Sequence, residues 1–398
     1  MSIKISSRLA VVKPSATFAM AAEAAALRKQ GRDVIDLSAG EPDFDTPAHI
    51  KAAAEEALRR GMTKYTPVGG TDELKDAIVK KLARDNTLTY ERTEVMANVG
   101  GKHSLYTAFQ ALFDKGDEVV LPAPYWVSYP EMLVLADAAP KIVETSAESG
   151  FLMSPAQFEA AIGPKTVAVI INSPSNPTGA TYDAEQLRAL GEVALKRNLL
   201  VITDDIYERL TDVPVPHIGA LVPGLRPRLV VINSLSKTYA MTGWRIGYTA
   251  APVEVIKAMT VLQSQSTSNP TSIAQAAGVA ALTGPQACVD EMAREFKARR
   301  ELVVRLLRAI PGVKTTMPGG AFYVFPDVSA FFGRKTAEGQ PVNTATDVAM
   351  YLLRQVAVAS VPGEGFGAPA HVRFSYATSR QALEQGIGRV GEALGRLR

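Results

Sequence analysis

The strongest constraint in this sequence is a series of short, almost wholly apolar runs that alternate with helical stretches. Five such runs are Glu94–Asn98, Glu118–Leu121, Val167–Asn172, Leu199–Thr203 and Leu229–Asn233. The stretches with helical patterning between and after them are Ser104–Phe113, Tyr129–Leu135, Ala184–Lys196 and Val255–Ser264. A strand that is apolar on both faces is typical of a parallel sheet covered by helices. The sequence therefore predicts an α/β fold whose mostly parallel sheet is sandwiched by helices.

The last third of the chain has a different pattern. A long charged helix is predicted over Val289–Ala309 and an amphipathic one over Arg380–Arg396, with short strand-like runs between them. This pattern indicates a second, smaller α+β domain, which the N-terminal segment is expected to join. We predict a large domain over residues 48–288 and a small domain formed by residues 1–47 and 289–398.

Composition narrows the class of function. The 43 basic and 40 acidic side chains give a net charge of +3, which argues against nucleic acid or a membrane surface as a partner. A single cysteine, Cys288, excludes an internal disulfide and a cysteine metal cluster, and fits a reducing compartment. The apolar run Leu9–Val12 is too short for the hydrophobic region of a signal peptide. No apolar run elsewhere in the sequence approaches the roughly 20 residues that a membrane helix needs. We expect a cytoplasmic protein that uses no metal.

Ligands of an open α/β sheet bind beyond the carboxyl ends of its strands, so the polar residues after each run are candidates. Lys237 closes the run that begins at Leu229. Ser234, Ser236 and Arg245 surround it with hydroxyls and a guanidinium, a combination that suits a phosphate. A strand-end lysine that extends to solvent is the alternative interpretation.

Two further strand ends carry polar groups. Asp204 follows the run from Leu199, with Tyr207 three residues later. A carboxylate there would keep a heteroaromatic nitrogen protonated and a phenol would bond a ring oxygen, whereas the alternative for Asp204 is a helix N-cap. Asn176 lies in the loop Ser173-Pro-Ser-Asn-Pro-Thr-Gly179, whose two prolines make it rigid, although turn chemistry alone also explains this loop.

The remaining strand ends offer backbone and aromatic groups. Gly100 and Gly101 precede a predicted helix and let its first N–H groups approach an anion. The segment does not match a Walker loop, because Met96 stands at the first glycine position. Trp126 follows the run from Glu118 and would stack on a flat ring, with core packing as the alternative.

Taken together, these motifs resemble the class I aminotransferases, which are fold type I pyridoxal-phosphate enzymes. The resemblance rests on Ser234-Leu-Ser-Lys237 followed by Thr242-Gly-Trp-Arg-Ile-Gly. It extends along nearly the whole chain, in order, through Ala39-Gly-Glu-Pro-Asp-Phe, Lys64-Tyr-Thr-Pro, Gly100-Gly-Lys102, Ala123-Pro-Tyr-Trp-Val-Ser-Tyr-Pro, Asn172-Ser-Pro-Ser-Asn-Pro-Thr-Gly, Asp204-Asp-Ile-Tyr and Arg373-Phe-Ser-Tyr-Ala. The sequence is most similar to the bacterial aspartate aminotransferase subgroup, some of whose members also accept prephenate.

The resemblance implies pyridoxal 5'-phosphate as the cofactor, held as a Schiff base on Lys237, which also shuttles the proton. It implies further that Asp204 pairs with the ring nitrogen, that Tyr207 and Asn176 bond the ring oxygen, and that Trp126 stacks on the ring. The remaining implied cofactor contacts are those that hold the phosphate: Gly100, Gly101, Lys102, Ser234, Ser236, Arg245 and, from the neighbouring subunit of a homodimer with shared sites, Tyr65.

The implied substrates are amino acids and 2-oxo acids. Arg373 would clamp the α-carboxylate, with the Gly40 backbone, Asn176 and Trp126 beside it. Lys102 and Lys13 are the candidates for the distal carboxylate of a dicarboxylic substrate. The expected reaction converts L-aspartate and 2-oxoglutarate to oxaloacetate and L-glutamate. The alternatives are an aminotransferase of other specificity, for prephenate with glutamate, aromatic amino acids or alanine, and a lyase of the same fold.

Overall fold

The structure is a computed structural model that describes residues 3–12, 16–214 and 216–398. Its strands are β1 (Ile35–Asp36), β2 (Val95–Asn98), β3 (Glu118–Ala123), β4 (Ala139–Glu144), β5 (Thr166–Asn172), β6 (Leu200–Asp204), β7 (Leu229–Ser234), β8 (Gly247–Ala250), β9 (Tyr323–Val324), β10 (Arg334–Lys335), β11 (Pro341–Val342), β12 (Val358–Ala359), β13 (Val361–Pro362) and β14 (Val372–Ser375). Its α-helices are α1 (Ala16–Lys29), α2 (Ala48–Arg59), α3 (Asp72–Asn86), α4 (Gly101–Leu112), α5 (Ser128–Leu135), α6 (Pro155–Ala161), α7 (Ala184–Lys196), α8 (Ile218–Leu221), α9 (Leu235–Thr238), α10 (Val253–Ser264), α11 (Ser272–Thr283), α12 (Ala287–Arg308), α13 (Ala345–Val356) and α14 (Arg380–Gly395).

The largest sheet has the strand order β2-β8-β7-β6-β5-β3-β4. The pairs β3–β4, β3–β5, β5–β6 and β6–β7 are parallel, whereas β8 runs antiparallel to both of its neighbours. Buried residues cover both faces, with α2, α3, α6, α7 and α11 packed on one side and α4, α5 and α10 on the other. The predicted α/β fold with a mostly parallel, helix-covered sheet is confirmed.

Two strands of this sheet were not expected from the sequence. The edge strand β4 has exposed side chains at Ala139, Ile142 and Glu144, so it lacks the continuous apolar pattern of a central strand. The strand β8 is only four residues long and contains Gly247 and Ala250, residue types that are depleted in strands. Its place between β2 and β7 is decided by pairing along both of its edges.

A third hydrophobic cluster lies around the C-terminal elements. It joins side chains of α12, α13 and α14 to those of β9, β12 and β14 and to Leu37 in the N-terminal segment. The strands β13, β14 and β9 form a small antiparallel sheet, and β1 pairs in parallel with β12. The domain boundaries at residues 48 and 288 stay predictions.

The described residues contain neither a membrane-spanning helix nor a metal-binding cluster of side chains. None of the helices in that part of the chain combines the length and the apolar character needed to cross a membrane. The same residues contain no group of three or more histidine, cysteine, aspartate or glutamate side chains that could hold a metal ion.

Candidate active site

A cavity of about 250 Å³ opens at the carboxyl edge of the large sheet. The ends of β5, β6 and β7 meet there with the first residues of α4, because parallel strands finish at the same edge. Most of the residues singled out from the sequence line this one cavity: Gly40, Gly101, Lys102, Trp126, Asn176, Asp204, Tyr207, Ser236, Lys237, Arg245 and Arg373.

Lys237 lies in the short helix α9 that follows β7, and its Nζ donates a hydrogen bond to the backbone oxygen of Gly40. Burial is the main cause that lowers the pKa of this amine to about 8; the charge of Glu41 opposes the shift, and Arg245 and Arg373 act in the same direction as burial. About one tenth of Lys237 is therefore neutral amine at pH 7. A neutral amine is both a nucleophile and a base, which is the chemistry that the strand-end lysine was predicted to supply.

Asp204 ends β6 and is buried at the back of the cavity. Burial raises the pKa of this carboxyl to about 6, although the hydroxyl of Tyr129 donates to its Oδ2 at 2.6 Å. Among the described residues, its Oδ1 accepts only a long bond, at 3.4 Å, from the backbone N–H of Ile206. A turn rather than a helix follows, so Asp204 is not a helix N-cap. Its less satisfied oxygen suits a cationic N–H of a bound ring.

Gly100, Gly101 and Arg245 form a tight cradle beside Lys237. Gly100 has φ +83°, and a Cβ placed on it would lie 2.4 Å from Nη2 of Arg245. A Cβ on Gly247 would lie 2.5 Å from the backbone nitrogen of Gly101, so only glycine fits at both positions. The guanidinium therefore stands against the N-terminus of the 12-residue helix α4. Backbone N–H groups and a guanidinium together fit a phosphate.

Ser234 and Ser236 have different roles in this geometry. The hydroxyl of Ser236 lies in the cavity wall. Ser234 is buried behind it, and its Oγ accepts a hydrogen bond of 3.0 Å from the backbone of Ser236. Ser234 thus caps the short helix that carries Lys237, and its predicted contact with a phosphate stays a prediction.

Arg373 is buried on β14 at the opposite wall. Its Nη1 donates to Oδ1 of Asn176 and its Nη2 to the backbone oxygen of Ser38, each at 2.9 Å. Its Nε has no hydrogen-bond partner among the residues that the structure describes. Burial lowers the pKa of the guanidinium. A buried cation that faces a cavity without a carboxylate partner in the described chain is suited to bind one from a ligand.

Lys102 and Trp126 stand together at the cavity mouth. The Nζ of Lys102 lies 4.9 Å from the centre of the indole ring, within cation–π distance. Burial lowers the pKa of Lys102, and the charge of Arg245 adds to this effect. A second cation is therefore available beside the ring that was predicted to stack on a cofactor.

Two predicted residues besides Ser234 do not line the cavity. Gly100 adjoins the cavity without lining it. Tyr65 is 89% exposed, and so makes no part of this wall. Lys13 lies outside the described residues.

The sequence reasoning missed two tyrosines of the site. Tyr129 contacts Asp204, and its position three residues after Trp126, at the start of α5, was an available signal. Tyr323 lines the cavity, and its hydroxyl lies 3.1 Å from that of Tyr207. No local pattern marks Tyr323, because it comes from a strand 116 residues away from its partner.

Comparisons with known proteins agree with this geometry. The model of the family described as aminotransferase class I and II matches residues 32–390. Aspartate aminotransferase of Geobacillus stearothermophilus is 51% identical over 390 residues, which are 98% of this chain and 98% of that protein. Aspartate/prephenate aminotransferase of Nitrosomonas europaea is 45% identical and covers 98% of this chain and 100% of its own.

Solved structures give the same result. The aspartate aminotransferase of Rhizobium meliloti superposes with a TM-score of 0.96 at 44% identity, covering 100% of both chains. The aspartate aminotransferase of Thermus thermophilus with maleate has a TM-score of 0.92 at 42% identity, and the match covers 98% of this chain and 100% of that one.

Proposed function

This chain belongs to the class I and II aminotransferases, and we propose that it transfers the amino group of L-aspartate to 2-oxoglutarate. The products are oxaloacetate and L-glutamate. The observation that carries the proposal is one cavity that Lys237 with its amine, Asp204 with its carboxylate and Arg373 with its guanidinium all line. Relatives that cover almost the whole chain and carry the name aspartate aminotransferase support the choice of substrate.

The enzyme depends on pyridoxal 5'-phosphate, as its family does, and the cavity fits this group. When bound, it supplies an electron sink for the carbanion at the substrate Cα. The groups proposed to hold its phosphate are the backbone of Gly100, Gly101 and Lys102 and the side chains of Ser234, Ser236 and Arg245. Those proposed to orient its ring are Asp204 at the nitrogen, Tyr207 and Asn176 at the oxygen, and Trp126 on the face. The weakly bonded Oδ1 of Asp204 and the Gly100–Arg245 cradle support this assignment.

Lys237 is proposed as the acid–base group. Its Nζ would hold the cofactor covalently and, as a free amine, would remove the proton from the substrate Cα. A base with a pKa of about 8 accepts that proton and gives it up again near neutral pH. The backbone oxygen of Gly40, which accepts a hydrogen bond from Nζ, keeps the amine at the cavity wall.

Two cations are proposed to bind the two ends of the substrate. Arg373 would clamp the α-carboxylate in a bidentate pair, since Asn176 and Ser38 already hold its guanidinium in place. Lys102 would bind the distal carboxylate. The Thermus thermophilus relative has been solved with maleate, a four-carbon dicarboxylate of about the length of aspartate. Lys13 remains the second candidate for the distal carboxylate.

We expect Lys102→Ala to weaken dicarboxylic substrates selectively. Loss of the distal cation should raise the KM of aspartate about tenfold or more and leave that of alanine within about twofold, because only aspartate carries the second carboxylate. Steady-state kinetics on both amino acids, with the exposed Lys196→Ala as the matched control, measure the effect. An equal loss on alanine would show that Lys102 does not bind the distal carboxylate.

One experiment tests the reaction itself. Single amino acids are mixed with the pyridoxal form of the enzyme, and conversion to the pyridoxamine form is followed over a single turnover. Aspartate and glutamate should convert fastest. Release of ammonia in place of a stoichiometric 2-oxo acid would instead favour a lyase of the same fold.

Prephenate is the second candidate acceptor. The relatives named aspartate/prephenate aminotransferase, at 45% and 48% identity, favour it as an additional substrate. Half-reactions of the pyridoxamine form with prephenate and with oxaloacetate, compared by kcat/KM, decide whether this enzyme belongs with that group.

We propose that the active protein is a homodimer in which Tyr65 reaches the cofactor phosphate of the partner subunit. The support is the exposure of Tyr65 at 89% and of Val261 at 63%, which leaves large hydrophobic side chains uncovered in the single chain. Tyr65→Phe should weaken cofactor binding several-fold without lowering the melting temperature, because the side chain is 89% exposed in the single chain. Equilibrium dialysis measures the affinity and sedimentation the mass; a monomeric enzyme would refute the shared site.

Two further proposals concern organisation. The residues 48–288 would form the cofactor-binding domain, and the residues 1–47 and 289–398 the smaller domain that carries Arg373. The separate hydrophobic clusters of the large sheet and of the C-terminal elements support this division.

We also propose a cytoplasmic location, since one cysteine in 398 residues fits a reducing compartment.

A further inference from the structure

A buried carboxylate outside the cavity, that of Glu208, joins three parts of the chain. It accepts hydrogen bonds from Nδ2 of Asn86 and from Nδ2 of Asn233, each at 2.6 Å. It also forms an ion pair with Nζ of Lys81. The side chains of Lys81 and Glu208 are only 4% and 11% exposed. The network therefore lies inside the protein, where unpaired charges are strongly disfavoured.

This network is connected to the lysine of the active site. The Oδ1 of Asn233 accepts a 2.7 Å hydrogen bond from the backbone of Ser234. Ser234 in turn accepts a bond from the backbone of Ser236 and so caps the helix that carries Lys237. The side-chain amide of Asn233, which Glu208 holds, thus fixes Ser234 at the start of the helix that carries Lys237.

The same residue is connected to the turn after β6. Glu208 directly follows Tyr207, and its backbone N–H donates to the oxygen of Asp205 at 3.0 Å. Asp205 itself follows Asp204. Glu208 therefore connects two segments: the turn after β6, which carries Asp204 and Tyr207, and the helix α9, which carries Lys237. Its outer anchors, Lys81 and Asn86, both belong to the 15-residue helix α3.

We propose that Glu208 is a positioning residue, which sets the distance between the Asp204–Tyr207 turn and the helix that carries Lys237. Buried ion pairs of this kind often add little net stability, because desolvation offsets the attraction, but they restrict geometry when all their hydrogen bonds are satisfied. Here, Lys81 and Asn86 hold the carboxylate of Glu208 from one side, and Asn233 transmits its position. The inference rests on the proposed function, because the distance matters only if both turns hold the same cofactor.

Three variants test the proposal on the full-length protein with pyridoxal 5'-phosphate. Glu208→Ala removes the link, and Asn233→Ala removes it while leaving the Lys81–Glu208 pair in place, so that one of them remains informative if the other does not fold. The double variant Lys81→Met with Glu208→Gln keeps an oxygen that can accept from Asn233 but removes both charges. Ile78→Ala is the matched control, because Ile78 is a fully buried residue of α3 outside the network.

The readouts are the cofactor dissociation constant, the pH midpoint of the absorbance of the cofactor-loaded protein, and kcat and KM for aspartate. Glu208→Ala and Asn233→Ala should weaken cofactor binding about tenfold, shift the pH midpoint and lower kcat about tenfold or more, since small misplacements of reacting groups are costly. The KM for aspartate should change less than about threefold, because Arg373 and Lys102 are untouched. The double variant should recover most of the lost affinity, and Ile78→Ala should lose stability alone.

The inference is overturned if the Glu208 and Asn233 variants behave as Ile78→Ala does, with a lower melting temperature but wild-type affinity and pH midpoint. It is also overturned if the double variant binds the cofactor as weakly as Glu208→Ala, since charge and not the hydrogen bond to Asn233 would then be decisive. A wild-type protein that binds the cofactor but transaminates no amino acid would instead count against the proposed function.

Discussion

Replacement of Lys237 by alanine is expected to abolish transamination. The variant loses both the amine that binds the cofactor covalently and the base that removes the Cα proton, and a positioned base alone contributes about 10²–10⁴-fold to the rate. We therefore expect kcat to fall at least about 10⁴-fold. The near-visible absorbance band that depends on the covalent link should disappear, which a spectrum of the cofactor-loaded variant measures without any assay of activity.

The variant Lys196→Ala is the control for this experiment, because Lys196 lies on α7 and its side chain is 72% exposed. That variant should keep both the band and the turnover. Retained turnover in Lys237→Ala would end the assignment of the reaction to this site.

Replacement of Arg373 by lysine is expected to weaken every amino-acid substrate. The guanidinium is held by Asn176 and by the backbone of Ser38, so its remaining face is fixed toward the cavity. An ammonium group cannot make the same bidentate pair with a carboxylate. It would also leave Oδ1 of Asn176 without its donor. Loss of a partner from a buried charge pair costs about 2–5 kcal/mol, so kcat/KM should fall about a hundredfold.

The diagnostic feature is that aspartate, glutamate and alanine all lose kcat/KM to a similar extent, since each carries the α-carboxylate. Steady-state kinetics on the three substrates measure it, with the exposed Arg188→Lys as the control. A loss confined to dicarboxylates would mean that Arg373 binds the distal end and that the assignments of Arg373 and Lys102 must be exchanged.

Much of the candidate site could be predicted from the order of residues. Asp204, Asn176 and Lys237 each follow a buried apolar run, and the sheet brings the ends of such strands to one edge. For this reason, a rule about strand ends was enough to place them in one cavity. Tyr323 does not follow such a run. Tyr129 is marked only as part of the longer motif Ala123-Pro-Tyr-Trp-Val-Ser-Tyr-Pro.

The sequence by itself determined the parallel sheet, the polar groups at its carboxyl edge and the resemblance to a family, because each can be recognised from short local patterns of residues. Only the tertiary structure decided the contacts between distant segments, such as Arg373 with Ser38 and Glu208 with Lys81. It also decided the pKa values of Lys237 and Asp204, which depend mainly on burial. Burial is a property of the packed molecule, and no local pattern of residues determines how much water remains around a side chain.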